Sequence, residues 1–209
     1  MNSLLNPDNP VMQFITKVVY SVYLNLLWIL CCIPVITAGA STTALYYVTL
    51  KMVKNEEGGI TKMFFRAFKE NFKQSTLVWM ILLALGVVLG IDGYVLWHLR
   101  FENAFWTIIT AVFIVAAAAY LIVILYIFPL MARFENSIFA MFKNSFFIGM
   151  RFLLCTVLLV VIHFIMLLVI IRIFTPAIIF GEGLCAFLGS YFLSNILALC
   201  EEKSQEEEE

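Results

Sequence analysis

The sequence predicts an all-α protein: a polytopic helical membrane bundle of about six transmembrane helices, or alternatively five, with two amphipathic interfacial helices. The first reason is a recurrence. Apolar runs return at 18–53, 75–97, 104–132, 152–171 and 175–200, parted by short segments that hold most of the charge. A helix needs about 20 apolar residues to cross about 30 Å of hydrocarbon. The second is composition: 63% of residues are hydrophobic, only 13% are charged, and the mean hydropathy is +1.00. A chain of 209 residues has room for one such domain, placed at 1–203, with an acidic disordered tail at 204–209.

Taken in order, the first apolar stretch is too long for one span. Pro34 removes a backbone donor and disfavours helix at Ile33, and Gly39 follows. Pro34 to Gly39 therefore reads as an external turn between antiparallel helices at 12–33 and 40–53, the first with Asn9 as N-cap and Pro10 in its first turn. The five-span alternative makes 37–53 a re-entrant or interfacial piece and puts the N-terminus outside. Lys17, the apolar stretch and Ala38-Gly39-Ala40 imitate a secretory signal with its cleavage site. Apolar character resumes at once in Ala44-Leu45-Tyr46-Tyr47-Val48, and cleavage would export a lysine-rich segment, so that reading is rejected.

The segment 60–74 carries Phe64, Phe65, Phe68 and Phe72 at helical spacing on one side, and Lys62, Arg66, Lys69 and Lys73 on another. It reads as a basic amphipathic helix in the headgroup region, its phenylalanines in the acyl boundary, entered through Gly58-Gly59. A second copy follows 74 residues later, with Phe139, Phe142, Lys143 and Phe146 matching Phe65, Phe68, Lys69 and Phe72. Each copy precedes a span, a short loop and a second span, an arrangement that suggests an internal repeat. Its plainer reading is two unrelated elbow helices at the inner surface. The elbows would dock a cytoplasmic partner or sense anionic lipid through Lys62, Arg66, Lys69, Lys73 and Lys143.

Charge orients the bundle. Of 13 Lys and Arg, six fall at 51–73 and three at 133–151, against one each, Arg100 and Arg172, at 98–103 and 172–183. The basic loops are expected in the cytoplasm, with both termini, in a plasma membrane. Trp97 and Trp106 fall at the outer interface.

Ionisable residues at membrane depth raise a functional question. Asp92, Arg172 and Glu182 all fall in the outer half, and a polar cluster in which Arg172 neutralises one of the acids would line a small outward cavity. The plainer reading has each snorkel toward the headgroups. His163 reads as a hydrogen-bond partner inside the bundle rather than a proton relay, and Asn25 and Asn195 as interhelical polar contacts. Cys31, Cys32, Cys155, Cys185 and Cys200 form no CxxC pair and read as buried thiols. The sequence has no GxxxxGK[ST], HExxH, GxSxG or GxGxxG. No catalytic, cofactor-binding or metal-ligating residues are therefore assigned, no cofactor is expected, and a net charge of −1 offers nothing to nucleic acid.

Leu24-Asn25-Leu26-Leu27-Trp28-Ile29-Leu30-Cys31-Cys32-Ile33-Pro34-Val35-Ile36-Thr37-Ala38-Gly39-Ala40, with Thr43-Ala44-Leu45-Tyr46-Tyr47, resembles the hallmark of the YesL-like membrane protein family. The elbow from Phe64 to Phe72 is similar to a second family feature. So is Phe128-Pro129-Leu130 followed by Arg133-Phe134-Glu135-Asn136-Ser137. In the turn, Pro34, Thr37 and Gly39 carry the match. The resemblance implies a bacterial plasma-membrane protein encoded among carbohydrate uptake permeases, without an established activity. Two functions follow as expectations. One is a non-enzymatic accessory of a carbohydrate ABC uptake system, packed against its permease. The other is an independent small transporter or channel using Asp92, Arg172 and Glu182.

Overall fold

In a computed structural model, which describes residues 10–56, 58–99 and 103–206, every regular element is a helix. Asn9, Arg100 and residues 207–209, on which three of the expectations above fall, lie outside the described residues. Helix α1 (Pro10–Cys32) ends where the Ile33-Pro34 pair disfavours helical backbone. A single 3₁₀ turn, Val35–Thr37, reverses the chain into α2 (Ala38–Val53). The Thr37 hydroxyl closes this turn on the carbonyls of Cys31 (2.5 Å) and Pro34 (2.7 Å). Asn55 then takes φ 57°, a left-handed conformation asparagine tolerates, to end α2.

The remaining helices are α3 (Ile60–Leu99), α4 (Ala104–Met131), α5 (Ile138–Arg151), α6 (Leu153–Leu168) and α7 (Gly181–Glu206). A π-helical turn, Val169–Ile173, and a 3₁₀ turn, Thr175–Ile179, connect the last two. The tail expected from 204 is helical as far as Glu206.

Five helices are long and apolar enough to cross a membrane: Val11–Cys32, Ile60–His98, Ala104–Met131, Leu153–Ile173 and Gly181–Glu201. Their outward side chains are apolar, with Val115, Leu154 and Ile173 each at least 70% exposed, as lipid contact demands. Helix α2 forms where the six-helix reading placed it. At 16 residues it is about 24 Å long, short of the hydrocarbon thickness. It sits at the centre, against α1, α3, α4 and α7. Its small residues allow the close approach that membrane helices use. Ala40, Ser41, Thr43 and Ala44 are fully buried, and hydroxyls bridge Thr43 to Ser75 (2.9 Å) and Thr49 to Ser190 (2.9 Å).

The expectation for the first elbow needs correction. Residues 60–74 do not form a separate interfacial helix; they are the N-terminal part of α3, which runs 40 residues, or about 60 Å, without a break. No proline or glycine interrupts the chain between Ile60 and Gly86, so nothing bends it. The phenylalanines also divide differently. Phe64 is fully buried in the protein core and Phe68 packs against it, which leaves Phe65 and Phe72 exposed. The second elbow, α5, is a separate helix, broken from α6 at Phe152 (φ −109°, ψ 50°). Three of the four matched pairs share their burial, with Phe65 and Phe139 exposed, Phe68 and Phe142 half-buried and Lys69 and Lys143 exposed; Phe72 is exposed where Phe146 is half-buried, and the copies differ in how they join their spans.

Four segments meet at one end of the bundle. Lys17, near the start of α1 and only 7% exposed, donates to Asn55 Oδ1 (2.7 Å). Arg133, just after α4, grips Glu201 near the end of α7 through two hydrogen bonds of 2.6 and 2.5 Å. These bonds hold the Arg133 guanidinium above its ordinary pKa, with further attraction from Glu56. The start of α1, the loop after α2, the loop after α4 and the end of α7 therefore share one side.

Candidate functional site

At that shared end the first part of α3 and the loop after α4 enclose a polar groove of about 790 Å³, lined by Tyr47, Arg66, Glu70, Asn71, Gln74, Arg133, Glu135 and Asn136 among others. Helix α3 supplies one wall because it continues beyond its apolar section. The other wall is pinned by Gln74, whose amide donates to the Asn136 carbonyl (2.6 Å). Of the basic residues picked from sequence, Arg66 lines the groove and pairs with Glu70 one turn on (2.9 Å), an exposed pair worth little energy. Lys62, Lys69 and Lys73 are exposed along the same helix, outside the lining, and none makes an ion pair among the described residues. Lys143 is exposed on α5, away from the groove lining.

The structure does not assemble the candidate cluster of Asp92, Arg172 and Glu182; no ion pair joins any two of them among the described residues. Asp92 is exposed in an apolar cleft of about 420 Å³ between α3 and α4, with Trp106 on its wall. Arg172 is exposed in the π-helical turn. Glu182, in the first turn of α7, faces His163 of α6 instead, Nε2 to Oε1 3.8 Å. That pair borders a half-open pocket of about 240 Å³ whose walls include Trp28, Tyr46, Trp79 and Phe128. Tyr46 and Trp28 went unassigned in the sequence; the one available signal was an aromatic residue on each of two helices joined by a tight turn.

Asn25 is an interhelical contact, as its polarity inside an apolar run suggests. Fully buried, it donates to the carbonyls of Ile178 (2.9 Å) and Ile179 (2.6 Å) and accepts from the Gly183 amide (2.8 Å). Asn195 is exposed, with no interhelical hydrogen bond among the described residues. The Pro34–Thr37–Gly39 turn is structural in its contacts: Trp79 Nε1 donates to the Val35 carbonyl (2.8 Å), and Gly39 lies directly against Ser75 and Trp79.

Comparison with known proteins falls on the same features. Residues 21–93, from α1 through most of α3, match the family described as "Protein of unknown function, DUF624". The chain is also 27% identical over 145 residues to "Uncharacterized protein YesL" of Bacillus subtilis (strain 168), covering 68% of this chain and 67% of that one. No solved structure matches. With five helices able to cross a membrane, this chain is a helical membrane protein that resembles YesL over 68% of its length.

Proposed function

We propose that this chain is a non-enzymatic accessory component of the bacterial plasma membrane that docks a membrane partner from the cytoplasmic side. The partner class that the YesL resemblance implies is a carbohydrate permease of the ABC type. One observation carries the reading: the exposed Lys62, Lys69 and Lys73 on a helix that outruns its own apolar section, beside an open polar groove. Three cations without carboxylate partners among the described residues suit an acidic segment of another protein, and charge complementarity would set its register. The alternative, an independent transporter or channel, is disfavoured because Asp92, Arg172 and Glu182 sit in separate places.

The test is affinity purification of the tagged chain from its native membrane in mild detergent, with mass spectrometry of what accompanies it. A stoichiometric permease or ATPase is expected with the wild type. The combined Lys62→Glu, Lys69→Glu and Lys73→Glu variant should lose it at least tenfold while accumulating normally. Recovery of the wild type alone, or undiminished recovery by the variant, overturns docking.

Orientation has its own expected result. In a cysteine-free background, a cysteine at Glu56 or at Asn136 should be shielded in intact cells from an impermeant thiol reagent, and labelled once the membrane is opened. Both loops lie on the shared side, beside the larger excess of Lys and Arg. Labelling of both in intact cells would invert the bundle and remove the cytoplasmic docking face.

A further inference from the structure

Helices α3 and α4 touch at two levels and part between them. A Cβ on Gly86 would lie 2.7 Å from Tyr120 Oη, and one on Gly93 would lie 2.9 Å from Phe113 Cζ, so both glycines press on α4. Gly90 falls between them on the same face of α3, by its four- and three-residue spacing. Nothing, however, lies within 4 Å of a Cβ there. Two apolar clefts, of about 420 and 320 Å³, meet at this gap, since Leu89 and Ala116 line both. The groove they form follows α3 from Leu82 to Leu96, about 21 Å. Val88 and Val112 in its walls are exposed, so it opens sideways toward lipid. Its free polar groups are confined to one end. Asp92, about 10 Å before the end of α3, and Trp106, in the first turn of α4, both line that end. The Asp92 carboxylate has no ion pair or hydrogen bond among the described residues, and Trp106 Nε1 has no hydrogen bond among them. Farther along, the Tyr120 hydroxyl is spent on the Leu82 carbonyl (3.1 Å), which leaves only apolar surface.

A carboxylate and an indole N–H at the end of an apolar groove match an amphiphile. We propose that the groove between α3 and α4 is a binding site for a phospholipid with a primary ammonium headgroup. One acyl chain fills the gap at Gly90, the ammonium donates to Asp92, and a phosphate oxygen accepts from Trp106 Nε1. From Asp92 to Leu82 is about 15 Å, half the hydrocarbon thickness and so the depth of one leaflet. A single hydrocarbon chain is thin enough to reach the floor of the groove at Gly90; a helix, about 10–12 Å across with its side chains, is not. Headgroup charge completes the choice. An ammonium has N–H groups that a carboxylate accepts in charge-assisted bonds, whereas a trimethylated headgroup has the charge and no donors, and an anionic one is repelled. The proposal is independent of the docking surface, which lies at the other end of α3.

The experiment is native mass spectrometry of the purified full chain, stripped of lipid in detergent and then given phosphatidylethanolamine, phosphatidylcholine or phosphatidylglycerol with identical acyl chains. The wild type should hold one phosphatidylethanolamine roughly tenfold more tightly than either of the others. Asp92→Asn keeps the shape of an exposed side chain and should remove that preference. A Cβ at Gly90 is clear of neighbours, so Gly90→Leu can fill the gap; it should weaken retention of all three lipids with no fall in melting temperature. Equal retention of the three lipids by the wild type, or undiminished phosphatidylethanolamine retention in either variant, overturns the site. So does a wild-type dimer that Gly90→Leu dissociates, since a second copy of the chain would then occupy the groove.

Discussion

Gly39→Ala should destabilise the protein by about 3 kcal/mol or more, although it adds one methyl group. A Cβ on Gly39 would lie 2.5 Å from the Ser75 carbonyl oxygen and 2.5 Å from Trp79 Cβ. Optimal carbon contacts are about 3.5–4.0 Å, so α2 and α3 would have to separate by about 1 Å. The obstacles are a backbone carbonyl and a Cβ, neither of which can swing aside. Separation also strains two bonds across the contact, Thr43 to Ser75 and Trp79 to Val35. A loss of that size corresponds to about 6–12 °C in melting temperature for a chain of this length, readable by thermal unfolding in detergent. Gly90→Ala is the control. Nothing lies within 4 Å of a Cβ there, and alanine inside α3 should stabilise by up to about 1 kcal/mol. If both substitutions shift melting by the same amount and sign, the close contact at Gly39 is not what holds α2 to α3.

The spans were legible because a bilayer imposes a length, and 75–97, 104–132 and 152–171 each satisfied it without reference to the rest of the chain. The turn at Pro34 was legible for a local reason, since proline restricts its own residue and the one before. The elbow was legible only in part. Periodicity shows that a helix has an apolar face; it does not show whether lipid or protein covers it. Phe64 found protein, with α2 running alongside, and the segment became an extension of α3. The polar residues fared worst. Asp92, Arg172 and Glu182 were grouped by depth, but residues at one depth can face different sides of a bundle. His163 and Glu182 meet across Val169–Ile173 and Thr175–Ile179, two irregular turns whose register the helical pattern does not encode.

Asn25→Leu should be comparably damaging, for the opposite reason: it preserves volume and removes hydrogen bonds. The Asn25 side chain serves three backbone groups that have few alternatives. The Gly183 amide is in the first turn of α7, where helical amides have no partner within the helix. Asn25 thus caps α7 from α1. The carbonyls of Ile178 and Ile179 lie at the end of an irregular turn, outside any long helix. Bulk water does not reach the site, because Asn25 is fully buried and Gly183 packs so closely on it that a Cβ at Gly183 would lie 2.7 Å from Asn25 Cβ. A stranded buried polar group costs about 1–3 kcal/mol. Three together predict a loss of about 3 kcal/mol or more, seen as a melting temperature lower by at least about 6 °C or as failure to accumulate. Asn195→Leu separates position from polarity. That asparagine is exposed on α7 and its replacement should cost little. A drop at Asn195 as large as at Asn25 would assign the effect to asparagine in an apolar helix and not to the clasp between α1 and α7.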